Sequence, residues 1–101
     1  KYLDAITIDG TLIDGFKPEK LNYEIEMPYD SADTIAVDAE KARPDQEIDG
    51  IDIYDIGYNT KMVILDVLSE DKQTTTRYTI SVKNVDFFHL LKSLKILKFL
   101  I

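Results

Sequence analysis

Apolar and polar residues alternate along most of this chain with the period of two that a half-buried β-strand requires. From Leu21 to Met27 the apolar side chains fall at Leu21, Tyr23, Ile25 and Met27, with Asn22, Glu24 and Glu26 between them. Thr34 to Glu40 repeats the pattern through Ile35, Val37 and Ala39, and Tyr78 to Lys83 repeats it through Tyr78, Ile80 and Val82. Leu3 to Ile8 reads as a first strand, stopped by Asp9-Gly10, a pair that accepts positive φ and marks a tight turn. Leu12, Asp14-Gly15 and Phe16 form a short link, in which Phe16 plugs the core and Pro18 sets the entry to the next strand.

Two stretches depart from clean alternation. Ala42-Arg43-Pro44-Asp45 is a loop, after which Ile48, Ile51 and Ile53 are separated by acidic residues and Gly50. The change of phase there predicts a bulge or a bend. Met62 to Leu68 is apolar at nearly every position, which predicts a central strand covered on both sides or one facing a neighbouring domain. The polar turn Ser69-Glu70-Asp71-Lys72-Gln73 then leads into the last strand. Six or seven short strands punctuated by turn signals predict an all-β sandwich, and nothing in residues 1 to 83 requires a helix.

The order of these elements resembles a known family. Leu3-x-x-Ile6-x-Ile8, then Phe16-x-Pro18-x-x-x-x-Tyr23-x-Ile25, then Gly57-Tyr58-Asn59 before the closing hairpin of Met62 to Lys83, is similar to the cadherin-like β-sandwich domain of bacterial surface and secreted proteins. The resemblance covers residues 2 to 83. It implies an immunoglobulin-like β-sandwich of about seven short strands. It also implies an extracellular or cell-surface setting and a non-catalytic accessory role, as spacer or interaction domain, beside neighbouring domains of the same polypeptide.

Composition narrows the choice of chemistry. There is no cysteine, so disulfides, thiolate metal sites and cysteine nucleophiles are all excluded. Residues 1 to 83 hold nine basic and eighteen acidic residues, a net charge of −9, whereas residues 84 to 101 carry +2. An acidic surface repels phosphates, and no basic stripe interleaved with aromatics occurs in the module, which argues against nucleic acid as a partner. The one histidine, His89, lies in the tail, so no Ser/His/Asp triad can be built within residues 1 to 83 and no catalytic residues are expected. No cofactor is expected either.

Asp45, Glu47, Asp49, Asp52 and Asp55 form a dense acidic cluster. Calcium needs roughly six to eight oxygen ligands, but no Asp-x-Asp-x-Asp-Gly loop occurs. The cluster therefore reads as the solvated edge of a sheet, where charge discourages aggregation, and not as a metal site. Tyr54 and Tyr58 bracket Asp55 and Gly57 on an expected loop. An exposed aromatic pair beside Asp55 and Asn59 is the chemistry of a sugar platform, rings stacking on C–H groups while carboxylate and amide bind hydroxyls. Tyr54, Asp55, Tyr58 and Asn59 are thus the candidate ligand site, and a small carbohydrate-binding module, or a helper domain of a glycan-active enzyme, is the alternative function. Tyr23 and Tyr78 occupy core-facing positions and read as structural.

The tail from Phe87 to Ile101 is more apolar than the rest and has neither clean helical nor clean strand periodicity. Its Leu91-x-x-Leu94-x-Ile96 repeats the opening motif 88 residues on, so residues 84 to 101 read as a linker and the truncated first strand of a following module, with a cationic membrane-surface helix or a disordered end as the competing readings. Such a strand is expected to seek a sheet edge, giving self-association through Phe87 to Ile101 or packing of the tail onto its own sandwich.

Overall fold

The computed structural model describes residues 1–27, 34–56 and 60–84. They build eight strands: β1 (Leu3–Ile8), β2 (Thr11–Leu12), β3 (Asn22–Met27), β4 (Thr34–Lys41), β5 (Glu47–Asp49), β6 (Asp52–Asp55), β7 (Lys61–Leu68) and β8 (Thr75–Asn84). The first sheet has the order β2-β1-β4-β6 and the second the order β3-β8-β7-β5. Their inner faces enclose one core, in which Leu3, Ile6, Ile35 and Val37 of the first sheet meet Tyr23, Val63, Leu65, Tyr78 and Ile80 of the second. The chain is an all-β sandwich.

Each alternating stretch folds as its pattern requires, but the opening motif needs one device more. Leu3, Ile6 and Ile8 all point inward, although a regular strand would place residues 3 and 6 on opposite faces. A register shift between Leu3 and Ala5, against Lys41 and Glu40, absorbs the extra residue. The spacing of three and then two is therefore the signature of a bulge at Asp4. At the other end of β1, Asp9 (φ 52°) and Gly10 (φ 83°) make the expected tight turn. The segment after it is not merely a link: Thr11 and Leu12 return as β2, paired with Ile8 and Thr7. Ile13 fills the core there, while Leu12 is exposed and Phe16 is half-buried, its ring stacked on Tyr23 with centroids 6.1 Å apart.

The change of phase at Gly50 is a crossover between sheets. Glu47–Asp49 pairs with β7 in the second sheet, and three residues later Asp52–Asp55 pairs with β4 in the first. Gly50 makes the step at φ 110°, with its α-carbon so close to β7 that an added Cβ would lie 2.2 Å from the Ile64 carbonyl oxygen. Only glycine satisfies both conditions. Beside the crossover, Gln46 is fully buried and satisfied: its Oε1 accepts from the N–H groups of Ala42 (2.8 Å) and Arg43 (2.9 Å), and its Nε2 donates to the Tyr2 carbonyl (2.9 Å).

Strand β3 runs parallel to β8, with Asn22 to Met27 in register with Thr79 to Asn84. Tyr78 ties this sheet to the other: its hydroxyl accepts from Leu3 N–H at 2.9 Å and donates to the Pro18 carbonyl at 2.5 Å. Tyr23 does the same locally, bonding both the N–H and the C=O of Lys17. Both tyrosines are the structural residues that their strand positions predicted.

Candidate interaction face

The outer face of the second sheet presents the side chains that the core leaves over. Its register sets them in rows: Glu24 beside Ser81 beside Met62, and Asn22 beside Thr79 beside Ile64. Met62 and Ile64 are 52% and 40% exposed, so β7 is covered on one face only. The expectation that this strand is covered on both sides is thereby corrected for the described residues. Its nearly continuous apolar run arises because Val63, Leu65 and Val67 point inward while Met62 and Ile64 point out.

A shallow groove of about 530 Å³ crosses this face, bounded by Lys20, Asn22, Glu24, Met62, Thr79 and Ser81. Lys20 sits over the Tyr23 ring, its ammonium 5.0 Å from the centroid. The groove thus combines one flexible apolar side chain, that of Met62, with an amide, two hydroxyls, a carboxylate and an ammonium. Methionine adapts its shape to whatever packs on it, and the surrounding polar groups can orient that partner by hydrogen bonds. Lower on the same face, Arg77 and Asp66 form a cross-strand pair with two parallel hydrogen bonds of 2.8 and 3.0 Å. The Arg77 guanidinium holds the Asp66 carboxyl below the usual range, chiefly through those bonds.

Of the four residues expected to bind a sugar, the structure describes Tyr54 and Asp55. Tyr54 belongs to β6 and not to a loop; it stands opposite Ile35, on the inward face, half-buried against the core. Its hydroxyl donates to the Gly50 carbonyl, and the Lys61 ammonium lies 5.7 Å from the ring centroid. Burial, followed by the nearby Asp52 and Asp49 charges, pushes the phenol pKa up. The inward positions keep the same parity through the crossover, from Ile48 opposite Val67 to Tyr54 opposite Ile35, so Ile53 takes the outward position and Tyr54 the inward one. Asp55 is exposed in β6, opposite Thr34. Tyr58 and Asn59 lie outside the described residues, as do His89 and the whole tail from Phe87 to Ile101.

The acidic cluster is divided by the same crossover. Glu47 and Asp49 stand in the second sheet, Asp52 and Asp55 in the first, and Asp45 in the preceding loop. Among the described residues no three carboxylates come together in a way that could hold a metal ion. Glu47 faces Lys72 at 3.6 Å, and the Lys72 ammonium donates to the Asp45 carbonyl at 2.8 Å, so the turn before β8 is strapped to the loop before β5.

Residues that matter here and carry no pattern signal are Gln46, whose polar side chain sits between Asp45 and Glu47 in sequence, and Ile56, buried after β6. Ile51 and Ile53, whose change of phase predicted a bulge or a bend, are exposed. Compared with protein-family models, the chain matches none, and compared with curated proteins it matches no sequence.

Proposed function

We propose that this chain is a non-catalytic accessory module, a spacer and interaction domain of a larger exported bacterial polypeptide, which seats a neighbouring domain on the outer face of its second sheet. The observation that carries the reading is the exposure of Met62 and Ile64 at the centre of that face, on a strand flanked by β8 and β5. An apolar centre with a rim of hydroxyl, amide and charged groups is the anatomy of a contact between domains. The strand orders β1-β4-β6 and β5-β7-β8 agree with the A-B-E and C-F-G orders of immunoglobulin-like sandwiches, with β3 added beside the last strand, which supports the cadherin-like resemblance. The exported setting rests on that resemblance.

The test is a tandem of two copies of the full chain, followed by NMR relaxation. The two sandwiches are expected to tumble as one body, and Met62→Glu with Ile64→Glu in the first copy is expected to separate their motions while leaving its melting temperature unchanged or raised. Independent tumbling of the unsubstituted tandem would refute the reading. So would a large loss of stability in the double variant, since the two side chains would then be structural.

A further inference from the structure

β6 ends the first sheet on the side away from β2, and no described strand pairs with its other side. Which backbone groups point into that edge follows from the ladder, because successive residues of an antiparallel strand turn their N–H and C=O groups to opposite neighbours. Asp9 N–H donates to the Ala36 carbonyl at 2.9 Å, so Ala36 faces β1. Ile35, Val37 and Ala39 therefore face the other way. Ile35 and Val37 meet Tyr54 and Asp52 of β6, which leaves the N–H groups of Ile53 and of Ala39, beyond the end of β6, directed outward.

Both outward donors are already occupied. Asp52 Oδ1 accepts from Ile53 N–H at 2.7 Å, and Asp38 Oδ1 accepts from Ala39 N–H at 2.8 Å. In each case a carboxylate bonds the amide of the very next residue, taking the donor that an incoming strand would need and adding a negative charge beside it. The edge has reason to be guarded: Ile53 is 67% and Ile51 43% exposed, so an added strand would cover apolar surface as well as complete a ladder.

We propose that Asp52 is an edge guard, which keeps β6 from pairing with β6 of a second copy of this chain, and that Asp38 guards in the same way the stretch of β4 that continues this edge beyond the end of β6. The second copy is the fitting occupant because an antiparallel β6 pair is isologous: the outward backbone groups of Ile53 and Asp55 in one copy match those of Asp55 and Ile53 in the other, and each copy covers the other's exposed isoleucine. Capping and charge act together, since Asp52 of each copy would also approach the acidic strand of its partner.

Sedimentation velocity over a hundredfold range of concentration tests this on the full chain. Asp38→Ala with Asp52→Ala is expected to raise the association constant at least tenfold above the parent. Asp4→Ala with Glu70→Ala, which removes the same charge elsewhere, is expected to leave it unchanged. Adding Ile53→Pro to the first pair removes the outward N–H without breaking a bond to β4 and is expected to return association to the parent level. A guardless variant that associates no more than the parent overturns the proposal, as does equal association in the charge control or association that survives the proline. Amide exchange supplies a readout independent of oligomer formation. Asp52→Ala should speed exchange at Ile53 and not at Ala39, and Asp38→Ala should do the reverse; no acceleration at either amide would mean that neither carboxylate caps its neighbour.

Discussion

The β5–β6 crossover carries the chain from one sheet to the other and the β7–β8 hairpin reverses it within one sheet, beside the same core and by opposite means. The hairpin is a long antiparallel ladder from Lys61↔Val82 to Leu68↔Thr75, held by many equivalent bonds and by a row of inward valines, leucine, tyrosine and isoleucine. Its turn is closed by Ser69 and Asp71, whose side chains bond each other and the N–H groups of Thr74 and Gln73. The crossover has almost no ladder. It depends on one glycine that has no room for a Cβ, one buried amide and one tyrosine hydroxyl. Where stabilisation is spread over many contacts a single change is absorbed, and where it rests on individual atoms a single change is not.

Substitutions in the crossover should therefore dominate. Gly50→Ala is expected to be the most damaging, at about 3 kcal/mol or more, because it adds a steric clash with the Ile64 carbonyl to an unfavourable φ. Thermal unfolding measures it, and a loss below ~1 kcal/mol would mean that β7 yields easily. Gln46→Ala comes next, at about 2 to 3 kcal/mol, since it strands two N–H groups and a carbonyl. Gln46→Glu should not rescue it, because the Tyr2 carbonyl then loses its donor. Tyr54→Phe should cost ~1 kcal/mol, the worth of its bond to Gly50; a sugar-binding role for this residue would instead leave stability unchanged and abolish glycan retention.

Titration probes the hairpin side. Burial raises the Tyr78 pKa above its ordinary value of about 10, so the folded state favours the neutral phenol. That contribution is fully present below about pH 10 and is lost as pH rises through the folded-state value. The melting temperature should hold from neutral pH to about pH 10 and fall above that, and Tyr78→Phe should flatten the alkaline limb while lowering the plateau. The smallest effect belongs to Asp66, whose pKa is depressed by the Arg77 hydrogen bonds. Its contribution is present above about pH 4 and fades as pH falls through the folded-state value. On an open face Asp66→Asn should move the melt by little more than its precision.

The same contrast explains what could be read from residues alone. The hairpin was legible because its signals are local: an alternating strand, a polar turn, an apolar strand. The crossover was legible only as a loss of phase at Gly50, and phase is what decides whether Ile53 or Tyr54 faces the core. Counting hydrophobicity favoured the isoleucines; the register with β4 favoured the tyrosine. Partner choice was not legible at all. Nothing in Asn22 to Met27 distinguishes a strand that will pair with its sequence neighbours from one that will lie parallel to β8, because that choice is settled by loop closure over more than fifty residues. Of the interaction face, the apolar run from Met62 was visible, but the alternation of inward and outward residues within it appears only once Val63, Leu65 and Val67 are seen in the core.

The parallel pairing of β3 with β8 has a mechanical consequence. Force applied upstream of β3 and downstream of β8 pulls the first of these strands backward and the second forward along their common axis. The bonds between Asn22–Met27 and Thr79–Asn84 would then be loaded together in shear, and not one after another as in a zipper. Tension on a larger polypeptide would thus reach the sandwich at its most resistant joint, after the short β1–β2 hairpin and the β1–β4 pairs had given way.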